Sequence, residues 1–132
     1  GLLRCAMPIH APNGNVDRVE TDVVSKWSRV VDDRSGAGDM YKLRQNLQSV
    51  VGPTVKLSTA SKSDSIETLF VCRSLPGLQR LVEACVTDRL QASLELIYTQ
   101  LAGRPVTIRQ LQYSQQDCHT CLQHFNTLAG RY

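Results

Sequence analysis

LPGLQRLVEACVTDRLQASLELIYTQLA, residues 75–102, has no glycine or proline after Gly77 until Gly103. Leu78, Val82, Val86, Leu90, Leu94, Ile97 and Leu101 recur at spacings of three or four, with Leu81, Cys85, Ala92 and Leu96 widening the stripe. This spacing predicts one continuous helix whose apolar arc spans roughly 200°, against the ~100° stripe of a helix laid on a surface. Such a helix needs packing neighbours on several sides, and the flanking segments are expected to supply them.

Upstream, residues 1–14 carry Pro8, Pro12 and the turn pair Asn13-Gly14, too much punctuation for a regular element, and are expected to form a flexible N-terminal arm. From Asn15, an N-cap residue, Val16, Val19, Val23, Trp27 and Val30 keep helical spacing to about Arg34, though so many β-branched residues weaken a helix. Ser35-Gly36-Ala37-Gly38 stops that helix. Asp39 caps a second one with Met40, Leu43, Leu47 and Val50 on one face, ended by Gly52-Pro53. Thr54 to Ser63 reads as an extended loop or a lone strand. Asp64 and Glu67 have capping-box spacing, which predicts a short helix through Ile66, Leu69 and Phe70 to about Cys72.

Downstream of the long helix, Gly103 and Pro105 make a stop. Thr107 with Gln110 repeats the capping-box spacing, and Leu111, Cys118, Cys121, Leu122, Phe125 and Leu128 stripe a last helix to about Ala129. Connections of about five and about four residues at the two ends join antiparallel neighbours. The expected fold is therefore all-α, an antiparallel up-down-up-down bundle of four main helices plus one short helix. It forms one domain over 15–132 with 75–102 at its centre.

The composition suits a soluble globular chain of 132 residues, with 42% hydrophobic and 20% charged residues. Aromatics make up only 5%, so the core must be aliphatic. A net charge of +3, scattered along the sequence, gives no basic stripe and argues against a nucleic-acid partner. No apolar run approaches the ~20 residues of a membrane span, so membrane insertion is not expected. The five cysteines leave one over in any monomeric disulfide scheme, which favours reduced thiols and an intracellular setting.

The densest chemical cluster is Asp117-Cys118-His119-Thr120-Cys121-Leu122-Gln123-His124. On a helix Asp117, Cys121 and His124 share one side, a weak candidate for a metal site or a Cys–His pair. A structural zinc needs a fourth ligand, and Cys5, Cys72 and Cys85 offer no second close pair, so no metal or cofactor is expected. One helical turn without a neighbouring glycine-rich turn does not build an oxyanion hole either, and no enzymatic activity is expected. Ser35-Gly36-Ala37-Gly38-Asp39 lacks the GxxxxGK[ST] spacing of a phosphate loop and follows a helix, so it reads as a linker.

Gln79, Glu83 and Arg89 interrupt the apolar arc in the first half of the long helix. They mark an expected binding groove for a peptide or helix of a partner protein. The expected function is therefore that of a protein-interaction module. The alternative is a secreted, cytokine-like four-helix ligand with Cys5 tied to Cys118 or Cys121.

Overall fold

Ile66, Thr68, Phe70 and Cys72 are fully buried, while Glu67, Leu69 and Val71 between them are half-buried. Burial with a period of two belongs to a strand, not to the short helix expected there. The computed structural model describes residues 1–12, 14–32 and 36–129. In chain order its elements are β1 (Leu2–Met7), β2 (Ile9–His10), α1 (Val16–Ser25), α2 (Ser28–Val31), α3 (Asp39–Val51), β3 (Val55–Lys62), β4 (Ile66–Cys72), α4 (Leu75–Val86), α5 (Arg89–Ala102), β5 (Thr107–Ile108), β6 (Gln112–Tyr113) and α6 (Gln115–Ala129). The expected all-α bundle is overturned. The chain is mixed α/β, built on a four-stranded antiparallel sheet in the order β3-β4-β1-β6, and β2 pairs separately with β5.

Four local readings change for identifiable reasons. Residues 2–7 are no arm but β1, an inner strand, with Leu3, Cys5 and Met7 fully buried; the prolines that suggested an arm fall outside it. Asp64 and Glu67 do not form a capping box. Residues 63–65 are the β3–β4 turn, where the Ser63 N–H donates to the Ser65 carbonyl at 3.1 Å. Residues 107–113 contribute β5 and β6, so the last helix starts only at Gln115, and the Ser114 hydroxyl accepts from the Asp117 N–H at 3.1 Å.

The long helix is two helices. Asp88 adopts φ 61°, ψ 6°, the left-handed conformation that Asp and Asn tolerate better than most non-glycine residues. The Thr87 hydroxyl donates to the Glu83 carbonyl at 2.8 Å, closing the end of α4. No glycine or proline announces this break.

Other expectations meet the structure. α3 spans the segment expected of it, though Gly38 and not Asp39 occupies its N-cap and no side chain caps it, and Asn15 caps α1 by accepting from the Arg18 N–H at 3.2 Å. The first helix then turns at Lys26-Trp27 and resumes as α2. β3 is not lone: it pairs along its length with β4, with one extra residue between Leu57 and Ala60. Asn13, Arg34, Ser35, Gly130 and Arg131 lie outside the described residues.

One sheet face carries Leu3, Cys5, Met7, Ile66, Thr68, Phe70 and Cys72 into a core shared with α4 and α5. Each fully buried large apolar side chain there contributes roughly 1.5–3 kcal/mol relative to exposure. Tyr98 of α5 ties the layers together. Its hydroxyl donates to the Met7 sulfur at 2.9 Å and lies 2.9 Å from the Thr68 hydroxyl, and its ring meets Trp27 edge-on at 6.1 Å. Trp27 is itself buried, with its indole N–H donating to the Ser58 carbonyl at 2.9 Å beside the irregularity in β3.

Candidate interaction surface

The acidic, thiol and imidazole groups of α6 are brought to separate tasks. Asp117 accepts from the Arg4 N–H at 3.0 Å and sits 3.6 Å from the Arg4 guanidinium, so it caps the edge of β1 where β6 has ended. Cys121 is buried, and its thiol donates to the Leu2 carbonyl at 3.5 Å. His124 is exposed and lies edge-on to Phe125, with ring centroids 5.6 Å apart. Among the described residues no three His, Cys, Asp or Glu side chains are placed to hold a metal ion.

All five cysteines are free thiols. A hydrogen bond with the Cys85 thiol, followed by burial, pushes the Cys5 thiol far above the ordinary range. Burial pushes Cys72 up to about 11 and also raises Cys121. A raised pKa withholds the thiolate, the form that reacts and binds metals, so these three act as small apolar core residues. The Cys85 contact also gives Cys5 a different neighbour from the Cys118 or Cys121 partner expected for a secreted ligand.

Gln79, Glu83 and Arg89 are exposed on the helical layer, the first two on α4 and the third opening α5. The larger clefts are lined by other residues. A cleft of about 610 Å3 lies between the start of α1 and the end of α5, where Asn15, Arg18, Asp22 and Arg104 mix both charge signs. A more apolar groove of about 430 Å3 runs between α1, α2 and β3 along Val24, Trp27, Val31, Leu57 and Ala60. The buried carboxyl of Glu20 near the β3–β4 turn is shifted upward by desolvation, which the Lys62 ammonium and a hydrogen bond from Ile66 partly offset.

The opposite face of the sheet has a composition that sequence reasoning did not single out. Register partners place Leu2 beside Val71, Arg4 beside Leu69 and Ala6 beside Glu67, all on the side away from the buried row of β1 and β4. A solvated sheet face normally carries polar residues at such positions. Here Leu2, Ala6, Leu69 and Val71 are apolar, and Arg4, Glu67 and, on β3 beside Val71, the exposed Lys56 are charged. Leu2 is 51% exposed, and the Arg4 side chain 60%. Shallow hollows follow the surface, one along Leu2, Arg4, Thr59, Ser61, Glu67 and Leu69 and a second reaching Gln112 and Tyr113 of β6.

The signal that could have found this face was the pair of segments LLRCAM and IETLFVC. In each, both the inward and the outward positions are mostly apolar, with Thr68 the polar residue on the inward side and Arg4 and Glu67 the charged ones on the outward side. No helix among the described residues is long and apolar enough to cross a membrane. Comparisons of the chain with protein-family models, with characterised proteins and with solved structures find no match.

Proposed function

We propose that this chain is a protein-interaction module that docks a partner protein on the open face of its sheet. The observation that carries the reading is the apolar run Leu2, Val71 and Leu69 across the two inner strands, bordered by two cations and one anion, Arg4, Lys56 and Glu67. Burying such a run supplies the non-directional part of an association, and the charges at its border set orientation. The fold that would carry a four-helix signalling ligand is absent, so the α/β architecture favours the module over that alternative. Gln79, Glu83 and Arg89 remain a second surface, with charge and hydrogen-bonding capacity but little apolar area of their own.

Site-specific photocrosslinking separates the two surfaces. A benzophenone side chain placed at Leu69, and in a second protein at Glu83, is irradiated in native cells of the source organism. The expected result is protein adducts from position 69 that disappear when Leu2→Asp is added, with few from position 83. Adducts from position 83 alone, or adducts at 69 that persist with Leu2→Asp, would overturn the assignment of the docking face.

A further inference from the structure

We infer that Cys118-His119-Thr120-Cys121 in α6 is a thiol–disulfide exchange site, in which Cys118 attacks a low-molecular-weight disulfide and Cys121 resolves the product. The site is independent of the docking face. All five thiols are free, and four of them, Cys5, Cys72, Cys85 and Cys121, are buried. Only Cys118 reaches the surface, so it is the one thiol that a dissolved disulfide can meet. The C-x-x-C spacing puts Cys121 on the same side of the helix, one turn further on. Three residues along an α-helix separate the Cα atoms by about 5 Å, inside the range of about 4.4–6.8 Å that a disulfide spans. The Cβ atoms, about 5–6 Å apart, must close by about 1–2 Å. Cys118 lies in the first turn of α6, where helix ends yield most readily, and its N–H donates to the Ser114 carbonyl just outside the helix at 3.0 Å.

The two thiols take different parts because their surroundings differ. Cys121 donates to the Leu2 carbonyl at 3.5 Å at the end of β1 and is shielded from solutes. It reacts only with a disulfide formed beside it, and there the reaction is intramolecular. In the first step the Cys118 sulfur bonds to one sulfur of the small disulfide RS–SR, and the other sulfur leaves as RSH with the Cys118 proton. In the second, the Cys121 sulfur displaces the remaining RS group from Cys118 and its own proton goes to that leaving group. Two protein thiols are oxidised by two electrons, and one small disulfide is reduced to two thiols. The oxidised Cys121 sulfur has no proton left for the Leu2 carbonyl, so the exchange loosens a contact between α6 and β1.

Incubating the folded full chain with glutathione disulfide, then quenching in acid, alkylating and digesting with trypsin, tests this. No Lys or Arg lies between Arg109 and Arg131, so both cysteines fall in one peptide. The wild-type chain should lose two of its five thiols, retain no glutathione and yield that peptide two hydrogens lighter, with dithiothreitol restoring the original mass. Cys118→Ser should slow the loss of thiols by about 10-fold or more. Cys121→Ser, which keeps a hydroxyl donor for the Leu2 carbonyl, should accumulate one glutathione on Cys118. Survival of all five thiols in the wild-type chain, glutathione persisting on its Cys118, or a disulfide from Cys121 to Cys72 would each overturn the exchange site.

Discussion

Replacing Tyr98 with Phe removes one oxygen at the joint between α5 and the sheet, and the structure fixes what that costs. Tyr98 and Thr68 are both fully buried. With the Tyr98 hydroxyl donating to the Met7 sulfur, the Thr68 hydroxyl 2.9 Å away donates to the Tyr98 oxygen. Tyr98→Phe forfeits both contacts and leaves the Thr68 hydroxyl without this partner in a dry site, an expected loss of about 2 kcal/mol. Thr68→Val removes the other hydroxyl but leaves Tyr98 its sulfur acceptor, an expected loss of about 1 kcal/mol. In the double variant neither orphan remains. Its loss should be about 2 kcal/mol and not the additive sum of about 3, a coupling of about 1 kcal/mol between α5 and β4. Urea denaturation with an unchanged slope measures all three. Additivity within about 0.3 kcal/mol, or a Tyr98→Phe loss under about 0.5 kcal/mol, would refute the joint as described.

Two further outcomes follow from the backbone and from a buried charge. Asp88→Gly should stabilise the protein by about 0.5–1 kcal/mol because φ 61° suits glycine, whereas in an unbroken helix the same change would cost about 0.3 kcal/mol, so the sign of the shift in denaturation midpoint decides between them. Desolvation holds the Glu20 carboxyl above its ordinary 4.5, so the folded chain keeps this proton when the unfolded chain has released it. Stability contributed by this group therefore falls as pH rises from about 4.5 through the raised value. Denaturation at pH 4.5 and pH 7 should show that fall vanish in Glu20→Gln, and identical pH dependence in the two proteins would count against a buried carboxyl there.

Local chemistry is legible in the sequence at some helix ends and not at others. Asn15 caps α1 because its side-chain oxygen is within reach of the next turn's N–H groups, and α3 lies between two glycines as its spacing demands, whereas Asp39 makes no cap. Most of the apolar stripe of 75–102 is core, although Val86 is 70% exposed and Leu96 51%. The break inside that stripe was not legible. A left-handed Asp88 needs no glycine, and continuous apolar spacing does not register a change in backbone direction.

The strands were harder to see for a reason that bears on the proposed function. In β1 and β4 the outward positions Leu2, Ala6, Leu69 and Val71 are as apolar as the inward ones, so the alternation that identifies a half-buried strand is blurred. β1 also has no local partner: Leu2 pairs with Val71 and Cys5 with Tyr113, contacts no short window can contain. The sequence by itself determined the Asn15 cap, the span of α3 and most of the core residues of the helices, since these depend on neighbours a few positions apart. Only the tertiary structure decided that residues 2–7 are an inner strand and that their outward apolar side chains meet those of β4. Sheet pairing is set by residues distant in the chain, and the open face exists only once that pairing has formed.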